Sequence, residues 1–327
     1  MKQTLEHSMQ PVHFDSSMMI FSFMAQLLRM QSQKAQRWDG DENLFYGGRL
    51  RSCPVRLARA GWWYESAMRL LIVNADDFGA SRQANAAVVR MHRQGIVTSA
   101  TLMANMPAFE EAVEFARECP ELGLGLHVNL TDGPPVCEPG KLRGLATPEG
   151  LLPGLAGLMA RAWVAGDALR REIAAQVERG IGAGVKITHL DSHKHVHVHP
   201  KVLAAVIAAA KDYGIEAVRV PMESREYRTG APLGWKLRSA LVSLNASRVR
   251  QHATRAGLAV TDHFVGTAGT CSWTAEAMAS AILGLKPGVT ELMVHPGDVE
   301  AVVSRQVRLA LEAAGVRLAT YADIVCG

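Results

Sequence analysis

The chain has 327 residues, of which 48% are hydrophobic and 20% are charged, and its formal net charge is +4. This size allows one large hydrophobic core, and α/β barrels routinely exceed about 200 residues as single domains. The small net charge and the lack of a basic tract interleaved with aromatic residues argue against a nucleic-acid partner. No run reaches the roughly 18 apolar residues that a transmembrane helix requires.

The five cysteines are scattered along the chain, and none forms a C-x-x-C pair. Their odd number and irregular spacing predict neither a disulfide framework nor a cysteine zinc site. Free thiols in a reducing compartment fit this pattern, so we expect a cytoplasmic protein.

Residues 1–67 differ from the remainder of the chain, because they show no sustained period of 2 or 3.6. An apolar run over residues 69–74 then has the character of a fully buried parallel strand. The sequence therefore predicts a poorly ordered N-terminal extension over residues 1–67, or a mis-assigned start codon, and one catalytic domain over residues 68–327.

From Met68 onward, strand and helix patterns alternate. Ser81 can cap a first helix that ends at Gly95, Pro107 can begin a second, Asp167 can cap a third, and a further helix begins near Thr274. We also expect a helix over residues 200–213, and strands over residues 96–103, 122–130, 185–191, 216–220, 259–264 and 291–295. A proline-rich connection follows the third strand. Such βαβ units form a parallel sheet, and about seven of them favour an irregular (β/α) barrel over an open doubly wound sheet.

The first cluster with chemical potential is Asn-Ala-Asp-Asp-Phe-Gly at residues 74–79, directly after the first strand. In a barrel, the carboxyl ends of the strands hold the active site. Two adjacent carboxylates repel each other unless a cation or solvent separates them. One of the pair Asp76 and Asp77 can therefore bind a cation while the other takes part in proton transfer. The alternative is a simple turn with an aspartate helix cap.

The second cluster combines His127, at the end of the third strand, with a histidine-rich segment. Residues 189–199 contain five of the twelve histidines, all at odd positions, as is Asp191. If this segment is extended, these side chains share one face. Nitrogen and carboxylate ligands suit zinc, whereas oxygen-rich coordination suits magnesium or manganese. A buried core histidine at 127 and a solvated histidine-rich loop are the alternatives.

A third feature is His295, in a His-Pro-Gly sequence that follows the last strong strand pattern. A histidine at that place can act as an acid or a base across the site from the two aspartates.

Taken in chain order, Asn-Ala-Asp-Asp-Phe-Gly, Gly-Leu-His, His-Leu-Asp-Ser-His and His-Pro-Gly resemble the motifs of the YdjC-like carbohydrate deacetylase family, which includes a chitooligosaccharide deacetylase. The resemblance extends from Met68 to the C-terminus. It implies an irregular β/α barrel of the glycoside hydrolase and deacetylase type, one divalent metal ion (magnesium or zinc) and a homodimer. By this resemblance, Asp77, His127 and His193 bind the metal, Asp76 is the general base and His295 is the general acid.

Three further residues are expected to orient the ligand imidazoles from behind: Asp191, His195 and His197. The motifs over residues 193–200, 218–221 and 261–264 also resemble a subgroup linked to hopanoid biosynthesis, whose expected substrate is an N-acetylglucosaminyl lipid. The chain keeps Asp191-Ser192, which that subgroup often replaces.

The chemistry expected from these residues is metal-assisted hydrolysis of the N-acetyl group of an amino sugar, either a chitooligosaccharide or a sugar linked to a lipid. Two alternatives remain open at this point. One is a metallohydrolase of an O-acetyl ester or a phosphoester, and the other is a barrel that binds sugar or metal without catalysis.

Overall fold

The computed structural model describes residues 68–228 and 232–325. The predicted N-terminal extension, residues 1–67, lies outside these described residues. Within them, no helix is long and apolar enough to cross a membrane.

The centre of the fold is a parallel sheet with the strand order β5-β4-β3-β2-β1-β7-β6, and β8 pairs with β1 in addition. The strands are β1 Arg69–Phe78, β2 Ser99–Leu102, β3 Gly123–Val128, β4 Ile187–Ser192, β5 Ala217–Val218, β6 His263–Val265, β7 Gly288–Val294 and β8 Val316–Leu318.

The two ends of this strand order also meet each other. Parallel bridges join Ala217 to Ala259 and Glu223 to Phe264, and they connect the β5 edge with the β6 edge. The sheet therefore curves into an irregular barrel, which confirms the predicted fold class and excludes the open sheet.

The helices of the described residues are α1 Arg82–Gln94, α2 Phe109–Glu118, α3 Leu155–Arg161, α4 Gly166–Gly182, α5 Pro200–Asp212, α6 Leu233–Arg255, α7 Ala275–Leu283, α8 Val299–Val302, α9 Arg305–Ala314 and α10 Tyr321–Val325. The Ser81 side chain caps α1 by accepting a hydrogen bond from the Ala84 N–H, and Thr274 caps α7 in the same way. The cap at Ser81 and the helix start near Thr274 were predicted, because capping depends only on neighbouring residues.

Some predicted boundaries were wrong. Helix α4 begins one residue before Asp167, with Ala165 at its N-cap, so Asp167 lies in the first turn instead of capping the helix. Helices α3, α6, α8, α9 and α10 and strand β8 were not predicted. Helix α6 lacks a single apolar face, which is the main sequence signal for a helix.

The hydrophobic core lies between the outer face of the barrel and the helices. Val73, Leu126 and Leu190 project from three strands and are fully buried in one cluster with Val88 of α1 and Ile173 of α4. This packing fixes the strands that carry the candidate site residues at their carboxyl ends.

Inside the barrel, the Gly125 position of β3 faces the His189 ring of β4. A Cβ atom at Gly125 would lie 2.4 Å from His189 Cε1. The ring has little room to retreat, because it stacks on Tyr321 with a centroid distance of 3.7 Å. Close packing at this point therefore depends on a residue without a side chain.

We predict that Gly125→Ala lowers the free energy of unfolding by about 1–3 kcal/mol, because the added methyl group displaces the His189–Tyr321 stack. Gly182→Ala, where no atom lies within 4 Å of the new Cβ, is the matched control and should leave stability unchanged or slightly higher. Urea titration of both variants measures the effect, and equal stabilities would contradict the packing described.

Candidate metal and catalytic site

The carboxyl end of β1 departs from regular strand geometry at the two aspartates. The pairing of β1 with β2 changes register between Ala75 and Phe78, and Asp77 has a left-handed φ of 63°. Neighbouring side chains of a regular strand point to opposite faces, but this irregularity brings both carboxylates towards His127. A left-handed φ at a residue other than glycine costs about 1–3 kcal/mol, and such strain is often found at functional sites.

Asp77 lies with two imidazoles in a group that fits a divalent cation. Asp77 Oδ1 is 3.0 Å from His193 Nδ1 and 3.5 Å from His127 Nε2. This oxygen is buried, and no described residue gives it a hydrogen bond of regular geometry. One ligand atom from each of the three residues lies within 4.8 Å of the others. One carboxylate and two imidazoles are a suitable ligand set for zinc and related divalent ions.

A second carboxylate lies behind each imidazole of this group. His127 Nδ1 is 2.7 Å from Asp191 Oδ1, and His193 Nε2 is 3.2 Å from Asp132 Oδ2. Carboxylates in this position fix the tautomer and orientation of ligand histidines and make them better ligands. Lys194 Nζ contacts the same Asp132 oxygen at 2.6 Å.

Asp132 was not among the predicted site residues. It lies four residues after the end of β3, at the same end of the barrel as His127. Its position could have identified it, because it is an acidic residue shortly after β3, and the last residues of β3 include the candidate ligand His127.

The charges of the cluster favour a cation. Burial raises the pKa of Asp77, but the close contact with His193 and the charges of His193 and His127 outweigh it and lower the pKa to about 2. Burial lowers the pKa of His193, but the carboxylates of Asp132 and Asp77 outweigh it and raise the pKa to about 9. A divalent cation would compete with the proton on this imidazole, as metal ions do at histidine ligands.

Asp76 has a different environment, which is dominated by Arg219. The fully buried guanidinium binds both Asp76 oxygens, at 2.7 and 2.6 Å, and its Nε donates to Glu291 Oε1 at 2.8 Å. Its Nη1 also lies 2.5 Å from Asp191 Oδ2. Burial raises the pKa of Asp76, but the Arg219 charge and hydrogen bonds hold it well below the usual range of a carboxyl.

Arg219 also decides between two groups of potential ligands. Asp76, His127 and Asp191 lie close enough together to form a second group. However, Arg219 already occupies both oxygens of Asp76 and one oxygen of Asp191. A cation there would face the guanidinium at short range, so the group of Asp77, His127 and His193 is the better cation site.

His295 immediately follows β7, the neighbour of β1 in the sheet. Its charge contributes to lowering the pKa of both Asp76 and Asp77, which places it beside the two carboxylates. The ring Nδ1 is buried and has no hydrogen-bond partner among the described residues, and the backbone N–H donates to Asp298. The imidazole is therefore held at the site with one ring nitrogen left for another partner.

The histidine-rich segment does not form the single face considered from the sequence. Strand β4 ends at Ser192, and the next six residues, His193–Val198, form a 3₁₀ turn in which Lys194 and His195 have left-handed φ values of 58° and 56°. This backbone breaks the two-residue alternation of a strand.

His195 and His197 point away from the ligand imidazoles. His195 lies edge-on to the Phe264 ring, with 5.8 Å between the centroids. His197 contacts the Ser192 hydroxyl at 2.5 Å and the Arg219 carbonyl oxygen at 3.2 Å. Any influence of His197 on the cluster therefore passes through Ser192 and Arg219, whereas Asp191 touches His127 directly.

The fold and the cluster together define a β/α-barrel protein with a carboxylate–imidazole cluster at the carboxyl ends of its strands, and the geometry of this cluster could hold a cation. A family model described as YdjC-like protein matches residues 70–319. The chain therefore belongs to the YdjC-like family, as its motifs predicted.

Three curated relatives have similar sequences. A carbohydrate deacetylase of Thermoanaerobacter pseudethanolicus is 32% identical over 234 residues, which cover 71% of this chain and 83% of the relative. A carbohydrate deacetylase of Brevibacillus brevis is 46% identical over 152 residues, 46% of this chain and 59% of the relative. A chitooligosaccharide deacetylase of Salmonella typhimurium is 42% identical over 158 residues, 48% of this chain and 61% of the relative.

A crystal structure from Enterococcus faecalis V583, of a protein described as a candidate for cellobiose-phosphate cleavage, has a similar fold. It superposes with a TM-score of 0.66 at 23% identity and covers 79% of this chain and 99% of that one. This likeness supports the barrel architecture alone.

We predict that Arg219→Met lowers the free energy of unfolding by about 3–5 kcal/mol, because it leaves three buried carboxylates without their cation. Arg90→Met, which removes an exposed ion pair with Glu300, is the control and should change stability little. Denaturant unfolding compares the two variants. Similar small losses in both would show that Arg219 does not hold the carboxylates together.

Proposed function

We propose that this protein is a divalent-metal-dependent carbohydrate deacetylase that removes the N-acetyl group from an acetylated amino sugar. The main support for this proposal is that two consecutive residues, Asp76 and Asp77, have different contacts. Asp77 faces two imidazoles in a cation site, while Asp76 is held by an arginine. The relatives that are described as carbohydrate and chitooligosaccharide deacetylases support the same reaction.

Asp77, His127 and His193 would hold the metal ion, which is zinc or magnesium in this proposal. A divalent cation bound there supplies Lewis-acid polarisation of the acetamide carbonyl and lowers the pKa of water. Asp132 and Asp191 keep the two imidazoles oriented towards Asp77, through contacts of 3.2 and 2.7 Å. These five residues come from the ends of β1, β3 and β4 and from the loops that follow β3 and β4.

Asp76 accepts the proton from the attacking water in this proposal. Its pKa lies well below the usual range, so the carboxylate is ionised at neutral pH. The same shift makes it a weak base, so its role depends on its fixed position. Arg219 and the Asn74 amide, which donates to Asp76 Oδ1 at 2.9 Å, fix the carboxylate in place. Orientation of this kind is a major part of what a general base requires.

His295 protonates the departing sugar amine. A neutral amine is a far better leaving group than an amide anion, so an acid is needed at the leaving nitrogen. His295 follows the strand next to β1, and its Nδ1 has no partner among the described residues. The His295 backbone N–H donates to Asp298 Oδ2 at 2.8 Å, which fixes this residue at the end of β7.

Two substrates fit this chemistry: a chitooligosaccharide, or an N-acetylglucosaminyl lipid of the hopanoid type. Both substrates carry the same acetamide group, so the residues of the cluster do not discriminate between them. We propose a cytoplasmic reaction and a homodimer on the strength of the sequence resemblance.

We predict that the chain, reconstituted with zinc or magnesium, releases acetate from at least one of these two substrates. Asp77→Ala should lose both stoichiometric metal binding and acetate release. Asp76→Asn should still bind metal but should lose about 10²–10⁴-fold in turnover, because only the proton acceptor is removed. Asp167→Asn, on the first turn of α4, is the matched control and should retain activity.

Acetate is quantified by an enzyme-coupled assay and bound metal by elemental analysis. Full activity of Asp76→Asn would show that Asp76 is not the general base. Bound metal with no acetate from either substrate would instead favour another ester substrate or a binding role, and phosphate release from aryl phosphates would identify a phosphoesterase.

A further inference from the structure

Helix α6, Leu233–Arg255, has an unusual composition for a surface helix. It contains five lysines and arginines and no aspartate or glutamate: Lys236, Arg238, Arg248, Arg250 and Arg255. Most exposed helices alternate charges of both signs, which stabilise one another at a spacing of three or four residues. A helix with only positive charges is suited to a partner with negative charges.

The distribution of apolar residues on α6 is the reverse of the usual one. Leu233, Leu237 and Leu244 are 73%, 39% and 72% exposed. Positions separated by four and seven residues lie on the same side of a helix, so these leucines form one stripe. We call this stripe the leucine face.

The buried side of α6 carries only small or medium side chains: Ser239, Ala246, Val249 and Ala253. Three of the leucines of the helix therefore lie on the side that faces away from the core. Exposed apolar side chains that occur in a stripe, unlike scattered ones, indicate an interaction surface.

The leucine face continues into positive charge. Arg248 and Arg255 follow Leu244 by four and eleven residues, so they extend the same side of the helix, and both are exposed. Leucines combined with basic residues on an exposed helix are the combination that binds the interfacial region of an anionic membrane.

Helix α6 also lies beside the candidate active site. It packs against the His193–Val198 turn, which carries one of the candidate metal ligands. On the buried side of α6, the Ser239 hydroxyl donates a hydrogen bond to Glu223 at 2.5 Å. This bond attaches the helix to the end of the barrel that carries the candidate site. Glu223 in turn accepts a hydrogen bond from the Gly266 N–H that follows β6.

We propose that the leucine face of α6 docks on an anionic lipid surface and so brings the mouth of the site to membrane-embedded substrate. The consequence for substrate choice rests on the proposed deacetylase function, but the docking itself does not. A second copy of the chain fits less well, because pairing α6 with α6 would place positive charges against positive charges.

The test is co-sedimentation of the full chain with vesicles of phosphatidylcholine alone and of phosphatidylcholine mixed with phosphatidylglycerol. We expect binding to the anionic vesicles only, with weakening at high salt. Leu237→Gln/Leu244→Gln should reduce this binding by about tenfold or more. Leu283→Gln/Leu309→Gln is the matched control, since these leucines are 57% and 50% exposed on α7 and α9.

A second variant, Arg248→Glu/Arg255→Glu, should also lose binding without changing any apolar residue. All variants should deacetylate a soluble chitooligosaccharide as the unchanged chain does, so loss of docking is distinguishable from loss of catalysis. Absence of binding by the unchanged chain would overturn the proposal, as would equal binding by the α6 and control variants. A dimer in light scattering that only the α6 variants lose would identify a second copy as the occupant instead.

Discussion

The buried guanidinium of Arg219 is the interaction on which the remainder of the site depends. It contacts Asp76 from β1, Asp191 from β4 and Glu291 from β7. Parallel barrels usually fill their interior with branched aliphatic residues, and a buried charge is tolerated only when it is fully paired. The three carboxylates and the arginine must therefore be assembled together, and this requirement fixes the carboxyl ends of distant strands relative to one another.

This arrangement leaves Asp77 outside the reach of Arg219. The left-handed backbone at Asp77 turns its carboxylate towards His127 and His193, where no cationic side chain other than the imidazoles lies within ion-pair distance among the described residues. Two consecutive aspartates thus have different partners: Asp76 contacts an arginine, and Asp77 contacts two imidazoles. The strain at Asp77 is offset by the contacts that the turn makes available.

Much of this architecture could be predicted from local sequence patterns. The strands up to β4, the helix caps at Ser81 and Thr274 and the gathering of His127 with the Asp-Asp pair follow from periodicity, capping and the common edge of a parallel sheet. Asp132 could have been considered as an acidic residue soon after β3. The role of Arg219 could not be predicted, because its partners depend on which strands the barrel brings together. Helix α6 was missed because its apolar residues lie on both its exposed and its buried sides, so no single apolar face marks it in the sequence.

The most direct test of the account is anomalous diffraction from a crystal of the zinc-reconstituted protein, recorded on both sides of the zinc absorption edge. We predict one strong peak within bonding distance of Asp77 Oδ1, His127 Nε2 and His193 Nδ1, with zinc–nitrogen distances of about 2.0–2.1 Å. Asp76 should remain bound to Arg219. A peak between Asp76 and Asp191, with the guanidinium displaced, would contradict the proposal that Asp77 binds the metal ion while Arg219 binds Asp76.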